Sequence, residues 1–384
     1  MNSSREYGYQ EDEITMPWPA PAVPGGNTKY APARDSRQSG VFVGLRLELA
    51  AAWAACSAFE WVALGYLSLS SALVVIFARN LAHPVRVLIV QAFAASIILA
   101  LCGTQGRIGL RESLRPTAAQ RFWHFLRHWY PHLFFLFCFE ELGHLVHLVS
   151  PGWRDAKLIA FDYWLTGVNP AIWLEQFATP ARNDFMQFTY ITYFTYLLAL
   201  GGILYYRKDW RAYWSVMTYS AVGYAIGYVI AILFPIESPW FSMAGSWHAE
   251  LRGGPFTALI NFIEHYGRVR GAAFPSEHVA GSFAALWGAW RHRRWLFWVM
   301  LPLVLCMCVS TVYGRYHYVA DIFAGMITGT LGYVLGSWLM KETAVRSSPE
   351  CGSSVPLLSR RPLLEASKHH HASPAPYDRP AASA

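Results

Sequence analysis

Charged side chains are scarce in this chain of 384 residues: they make up 14% of it, whereas hydrophobic residues make up 54%. Because a soluble domain contains about 25% charged residues, the deficit argues against a soluble protein. The apolar residues occur in long runs, which predict a protein that crosses a membrane several times. The net charge is +7, but the sequence shows no soluble domain with a basic face that could bind nucleic acid. We therefore expect no nucleic-acid partner.

Two further absences narrow the interpretation. The six cysteines lack the paired spacing of a zinc site, and most lie in or beside apolar segments, where they are expected to be small buried side chains. No apolar run occurs early in the chain, so no cleavable signal peptide is expected. The polar, Pro-rich composition of 1–40 and of 341–384 predicts a disordered tail at each end.

Apolar segments of suitable length predict about eight membrane-spanning helices. They lie at about 58–78, 85–103, 132–150, 186–206, 213–234, 275–290, 295–310 and 318–340. The predicted fold class is therefore an all-α integral membrane protein, in which the last six helices form a catalytic core at 132–340.

The segment before that core, 41–131, is predicted to supply two extra spans and one amphipathic helix. Arginines alternate with aromatic residues over 106–130, which is typical of a helix on an anionic membrane surface. Within the core, Gly325 and Gly329 are four residues apart, a spacing that favours close packing of helices.

Lysine and arginine are denser in the loops that would be cytoplasmic if the N-terminus is cytoplasmic. This agrees with the tendency of cytoplasmic loops to be positively charged. We therefore expect both termini to be cytoplasmic, at the inner membrane if the source is bacterial. The loops 235–278 and 311–321 are then expected to lie together on the extracytoplasmic face.

The sequence Pro275-Ser276-Glu277-His278 predicts the start of a helix. Ser276 can cap that helix, and the free backbone N–H groups at a capped helix start bind anions such as phosphate. His278 is then expected in the first helical turn, beside the bound anion. The structural alternative is an ordinary capped helix with a surface histidine.

His317 and Asp321 are four residues apart, so on a helix they share a face and can form a hydrogen bond. A carboxylate on one imidazole nitrogen fixes the tautomer and leaves the other nitrogen as a nucleophile or base. A purely structural pair at a helix start is the alternative. Two antiparallel spans separate His278 from His317, so both histidines are expected at one membrane face. Two histidines and a carboxylate at that face are the side chains that phosphoryl transfer through a phosphohistidine requires.

These residues resemble the type 2 phosphatidic-acid phosphatase superfamily, whose motifs are PSxH and SRxxxxxHxxxD. The segment 275–278 matches the first motif, and Ser310, His317 and Asp321 match the second, but Thr311 stands where the superfamily has arginine. The superfamily's earlier motif, KxxxxxxRP, is missing. These departures resemble the inositol phosphorylceramide synthase-like branch.

The resemblance implies a membrane enzyme that cleaves a lipid phosphate ester or diester without a metal or other cofactor. It implies that His317 is the nucleophile, that Asp321 orients it and that His278 is the general acid. Phosphate binding is expected from Ser276 and, in place of the missing arginine, from Arg315 first and from Arg268 or Arg270 second. Transfer to water would make the protein a phosphatase, and transfer to an alcohol a head-group transferase.

Four ionisable residues lie within the predicted span 132–150: Glu140, Glu141, His144 and His147. Glu141 and His144 fit Glu-x-x-His, one half of a dinuclear metal site, but no second such motif is found. A polar network inside the bundle is the favoured interpretation. The functional alternative is that Glu140 and His144 line a pocket for the lipid head group.

A second class of function is a membrane transporter or lipid-binding protein that uses the histidines as a polar pathway. Transporters tend to contain inverted repeats with interrupted helices, and no internal repeat is found in this sequence. A structural membrane protein is the third interpretation. The lipid, the acceptor and the oligomeric state are left open by the sequence.

Overall fold

A computed structural model describes residues 55–109 and 117–346, with side chains for 55–104 and 117–342. In this part of the chain the secondary structure is helical, with no strand beyond an isolated bridge between Ile236 and Ala272. The helices are α1 Ala58–Ile76, α2 Pro84–Gly109, α3 Ala118–Leu145, α4 Asp155–Thr166, α5 Pro170–Leu174, α6 Pro180–Ile191, α7 Tyr193–Tyr206, α8 Trp210–Leu233, α9 Pro239–Ser242, α10 Pro255–Gly267, α11 Glu277–His292, α12 Arg294–Tyr313 and α13 Val319–Arg346. The predicted all-α membrane fold is confirmed.

Six helical stretches among the described residues are long and apolar enough to cross a membrane. They are Ala58–Ile76, Pro84–Thr104, Pro180–Tyr206, Trp210–Leu233, Arg294–Tyr313 and Val319–Glu342. They correspond to six of the predicted spans. The other two, at 132–150 and 275–290, fall on α3 and α11. Helix α3 carries ionisable side chains and α11 has 16 residues, so membrane crossing by these two stays a prediction.

The structure differs from the predicted division between an amphipathic helix ending near 130 and a span starting at 132. Helix α3 runs without a break through Pro131. Its start is fixed by a capping box, in which Gln120 N–H donates to the Thr117 hydroxyl over 3.2 Å and Thr117 N–H donates to the Gln120 side chain over 2.7 Å. Proline removes one hydrogen bond from a helix interior, and the turns around it here continue the helix.

The predicted tails lie mostly outside the described residues. At the C-terminal end, α13 continues to Arg346, six residues beyond the predicted end of the core. The N-terminal tail at 1–40 and residues 347–384 are not among the residues that the structure describes.

Helix α8 is the most buried of the six candidate spans, and it packs against α11 and α13. Helices α11 and α13 touch each other through glycine. A Cβ on Gly325 would lie 2.6 Å from the carbonyl oxygen of Ser276, and one on Gly329 would overlap the carbonyl oxygen of Ala280. The predicted close packing at these two glycines is therefore confirmed, and it brings the start of α11 against α13.

Helix α4 forms hydrogen bonds with the loops that carry the predicted site residues. The Asp155 carboxylate accepts the backbone N–H groups of Glu237 at 3.0 Å and Ser238 at 3.2 Å. Ala273 N–H in turn donates to the Ile236 carbonyl oxygen over 3.2 Å. The loop after α8 is thereby fixed to both α4 and the segment that precedes α11.

The same helix caps α13. The Asp162 carboxylate accepts the N–H groups of Val319 at 2.9 Å and Ala320 at 3.0 Å, which are donors that a helix start leaves unpaired. Burial raises the pKa of Asp162, and these two backbone hydrogen bonds act in the opposite direction. This cap determines where the chain leaves the His317 loop and enters α13.

Candidate active site

Ser276 is the N-cap of α11. Its hydroxyl accepts the Val279 N–H over 3.4 Å, and its own N–H donates to the Asp321 carbonyl oxygen over 3.0 Å. The side chain is fully buried and does not line the adjoining cavity. Ser276 therefore connects the start of α11 to α13 through its backbone hydrogen bond. Because Ser276 is the N-cap, His278 lies in the first turn of α11.

His317 lies in the short turn between α12 and α13. The Thr311 carbonyl oxygen accepts the N–H groups of Tyr316 at 2.9 Å and His317 at 3.1 Å. His317 Nδ1 lies 2.9 Å from the Ala273 carbonyl oxygen and 3.3 Å from Asp321 Oδ2. Because both neighbours are acceptors, Nδ1 carries the proton and Nε2 keeps its lone pair.

The structure brings the two histidines into direct contact. His278 Nδ1 lies 3.3 Å from His317 Nε2. On its other side, His278 Nε2 lies 2.8 Å from the hydroxyl of Tyr190, which also packs against the His278 ring. The lone pair of His317 therefore faces His278, and Tyr190 holds His278 in that orientation.

Both imidazoles face a cavity of about 410 Å³, which we call the site cavity. Its walls come from α3, α6, α7, α8, α10 and α11, together with the loop that carries His317. Three of its lining residues, Leu136, Phe194 and Leu198, are also exposed on the outside of the bundle. The cavity thus has histidines at one part of its wall and exposed apolar residues at another.

Arg268 is the arginine that lines the site cavity among the described residues. Its Nε forms an ion pair with Glu264. Its guanidinium lies 4.7 Å from the ring centre of Trp240 and 5.8 Å from that of Tyr316. Burial raises the pKa of Tyr316, so its hydroxyl stays protonated beside this cation.

Arg315 is directed elsewhere. Its guanidinium forms a buried ion pair with Glu175 at 2.7 Å, donates to the Ala249 carbonyl oxygen and lies 4.3 Å from the ring centre of Trp247. Burial lowers the pKa of Arg315, and Glu175 opposes that change. The sequence predicts Arg315 as the first phosphate ligand and Arg268 as the second. The structure pairs Arg315 with Glu175 away from the cavity, whereas Arg268 lines the cavity, and phosphate binding by either arginine stays a prediction.

Arg270 is likewise engaged outside the cavity wall. It forms an ion pair with Glu237, and its guanidinium lies 5.4 Å from the ring centre of Trp153. The side chain is more than half exposed, at 56%. Arg270 is therefore outside the cavity lining, whereas its partner Glu237 lines the cavity.

Thr311, at the position of the superfamily's arginine, is wholly buried. Its hydroxyl donates to the Cys308 carbonyl oxygen over 2.8 Å, and its own carbonyl holds the turn that carries His317. Thr311 therefore supports the turn through its backbone and brings no positive charge to the site.

The acidic and histidine residues of α3 fall into two cavities. Glu140 lines the site cavity, whereas His144 lines a second cavity of about 400 Å³ between α2 and α3. Glu140 and Glu141 also line this second cavity, together with His83 and Arg86. Within the described residues, no group of three His, Cys, Asp or Glu side chains is placed to hold a metal ion.

Sequence reasoning missed four residues of this region: Asp155, Asp162, Tyr190 and Glu277. The two aspartates lie in a stretch that reads as an ordinary loop, and nothing local indicates that they bind distant backbone. Tyr190 is one of several aromatic residues in an apolar stretch, and nothing beside it in the sequence indicates a contact with His278. Glu277 lies inside the PSxH motif at its variable position.

Residues 156–335 match the family model described as the PAP2 superfamily. A curated relative, the bacitracin transport permease protein BcrC of Bacillus licheniformis, is 22% identical over 146 residues. The alignment covers 38% of this chain and 66% of that protein, just under two thirds of its length. No solved structure matches the chain. The resemblance to the type 2 phosphatidic-acid phosphatase superfamily is confirmed over the matched residues, whereas the inositol phosphorylceramide synthase-like branch is not confirmed.

Proposed function

We propose that this protein is an integral-membrane lipid phosphatase or phosphotransferase that works through a covalent phosphohistidine on His317. The observation that carries the proposal is the orientation of His317. Its Nδ1 is held by the Ala273 carbonyl and by Asp321, and its Nε2 lone pair faces the site cavity beside His278. A fixed tautomer with one free nitrogen beside a second proton carrier is the arrangement that covalent catalysis requires.

In the first step, the Nε2 lone pair of His317 attacks phosphorus and forms a P–N bond. The bond from phosphorus to the leaving oxygen breaks, and His278 gives that oxygen a proton. In the second step, water or an alcohol attacks phosphorus, its proton passes to His278, and the P–N bond breaks. With water, a phosphomonoester yields phosphate and a phosphodiester yields a phosphomonoester. With an alcohol, each yields a new ester of the same order, and both histidines return to their starting state.

The contact between the two histidines has a consequence for substrate binding. An attacked phosphorus must occupy space next to His317 Nε2, where His278 Nδ1 now lies at 3.3 Å. The His278 ring must therefore turn away when substrate enters. We expect the ring to turn about its hydrogen bond to the Tyr190 hydroxyl.

Phosphate oxygens are assigned to two sources of positive charge. The first is Arg268, which lines the site cavity. The second is the backbone at the start of α11, where the capped helix end favours an anion. Ser276 acts by fixing that helix start. The superfamily's absent arginine is thus replaced by a residue from a different part of the sequence.

A lipid substrate fits the shape of the site cavity. Exposed apolar residues such as Leu136 and Leu198 line it, so an acyl chain in the membrane can contact the wall that also carries the histidines. The lysine and arginine pattern supports an extracytoplasmic site with both termini cytoplasmic. The proposed catalytic core, 132–340, includes the 156–335 match.

The test is turnover of lipid phosphates and phosphodiesters by purified protein in detergent, with and without a metal chelator. We expect the wild type to release phosphate or head group in both conditions, and His317→Gln to be inactive while keeping the wild-type melting temperature. Addition of an acceptor alcohol then separates transfer from hydrolysis. Equal activity of the two proteins would contradict the proposal.

Transport is the competing proposal, and one observation favours it: the relative that matches this chain bears the name of a transport permease. A transporter would move its ligand across a vesicle membrane without changing it. Chemical analysis of the lipid after incubation with reconstituted protein separates the two. Unchanged lipid that has crossed the membrane would favour transport.

A further inference from the structure

Glu277 is a buried acid without a partner. It is 3% exposed, and neither carboxyl oxygen has a hydrogen-bond partner in the part of the chain that the structure describes. It also forms no ion pair there. Buried polar groups are normally hydrogen-bonded, because leaving water without a new partner is costly. A ligand that supplies hydrogen-bond donors would complete this group.

The Glu277 side chain is directed toward the interior of the bundle. It packs against Gly227 of α8 so closely that a Cβ on Gly227 would overlap Oε1. Glu277 and His278 are consecutive, and both line the site cavity. The carboxyl group therefore belongs to the same cavity as the histidines, on the side of His278 that faces α8.

Tyrosine hydroxyls continue the wall from His278 to this position. The Tyr193 ring packs against His278 at 4.7 Å, and its hydroxyl lies 3.1 Å from that of Tyr224. Tyr224 in turn stacks on Tyr228 at 5.9 Å. All three tyrosines line the cavity. Beyond His278 the wall thus offers hydrogen-bonding oxygens and a carboxyl group, and no arginine or lysine of the described residues lines this part.

We propose that Glu277 binds the head-group alcohol of the substrate or acceptor, through O–H or N–H groups that this alcohol carries in addition to the reacting oxygen. The inference rests on the proposed function. There, His278 gives a proton to the leaving oxygen or takes one from the acceptor, so the alcohol part lies next to His278. Glu277 lines the same cavity as His278. A polyol or an amino alcohol provides the missing hydrogen-bond donors, whereas a fully ionised phosphate group carries none.

The experiment compares phosphodiesters that share one lipid and differ in head group. A methyl group provides no donor, glycerol and inositol provide O–H donors, and ethanolamine provides N–H donors. For each head group, kcat/KM is divided by that of the methyl phosphodiester. We expect this ratio to exceed one in the wild type and to fall at least about tenfold in Glu277→Met, a loss in the range of one charge-assisted hydrogen bond.

Glu277→Gln tells the two kinds of donor apart. Glutamine keeps an acceptor oxygen but loses the charge, so a hydroxyl head group retains most of its advantage while an ammonium head group loses it. Glu250→Gln is the matched control, because Glu250 is exposed, pairs with Arg252 and lies outside the cavity. It should leave every ratio unchanged.

Melting temperature gives an independent readout. Glu277→Met removes a buried carboxyl group that has no partner among the described residues, so the melting temperature should rise. Such a gain is expected where a residue is kept for function at the expense of stability. Unchanged head-group ratios in Glu277→Met, or a lower melting temperature, would overturn the inference while the active wild type still supports the proposed function. A wild type that turns over none of these lipids contradicts the proposed function itself, and the inference falls with it.

Discussion

Two parts of the site cavity differ in how completely their polar groups are paired. At the histidine part, His317 Nδ1 has two acceptors, His317 Nε2 meets His278, and the far nitrogen of His278 meets Tyr190. At the α8 part, Glu277 has no partner within the described residues. The pairing of His317 Nδ1 positions the nucleophile before substrate arrives, as catalysis requires. A group left unpaired indicates where the protein relies on its ligand.

The largest effect is expected where the pairing is most complete. Replacing His317 by glutamine keeps a polar group near Asp321 but removes the nucleophile. We expect kcat/KM for a lipid phosphate to fall by at least about 1000-fold, since loss of a nucleophile removes the covalent route. Steady-state kinetics beside thermal unfolding would measure this. Retention of a tenth of the activity would show that His317 is not the attacking group.

His278→Gln should cost about 100- to 10,000-fold with an alkyl leaving group, the usual range for general acid catalysis. An activated aryl phosphate releases its aryl oxide without needing a proton, so the same variant should recover the rate of the first step with that substrate, measured as a burst of released aryl oxide. His317→Gln should stay inactive with both substrates. If the two variants respond alike to the leaving group, the assigned difference between acid and nucleophile is wrong.

A smaller difference is expected between Arg268, which lines the site cavity, and Arg315, which is paired away from it. Arg268→Gln should raise KM by about 10- to 100-fold, since it removes a charged hydrogen-bond donor from the cavity wall. Arg315→Gln breaks the buried ion pair with Glu175 and should mainly lower the melting temperature, because an unpaired buried charge costs about 3–5 kcal/mol. Kinetics and unfolding of both variants test this. A KM effect confined to Arg315→Gln would restore the order expected from the sequence.

The smallest expected effect concerns the packing that holds the two parts of the cavity together. Gly325→Ala places a Cβ 2.6 Å from the Ser276 carbonyl oxygen, so we expect a loss of about 1–3 kcal/mol in the free energy of unfolding from overpacking. Gly65→Ala in α1 is the matched control, because a Cβ there meets no atom of the described residues within 4 Å. That change should be neutral or stabilise by about 0.5–1 kcal/mol. Equal unfolding curves for the two variants would argue against tight contact between α11 and α13.

The sequence predicted the elements whose signal is local. Apolar runs gave the six candidate spans, the Ser276 cap follows from the residues beside it, and the four-residue spacing gave the contact between His317 and Asp321. The meeting of His278 and His317 was also predictable, because two antiparallel spans return the chain to the same side of the bundle.

What the sequence did not reveal depends on contacts between distant residues. Arg315 lies two residues from His317, yet Glu175, far away in sequence, takes its charge. Arg268 is brought to the cavity by α10, a helix inside what reads as a loop. Asp162 caps α13 across a sequence separation of 157 residues. No local pattern predicts such partners, because each depends on the fold of the whole bundle.

The most direct test of the account is to look for the covalent intermediate. Wild-type protein mixed with a lipid phosphate, quenched with base within milliseconds and digested, would be analysed by mass spectrometry. We predict one added phosphoryl-containing group on the peptide with His317, stable in base, lost in acid and absent from His317→Gln. Turnover by the wild type without any such adduct, or an adduct on another residue, would contradict the phosphohistidine mechanism.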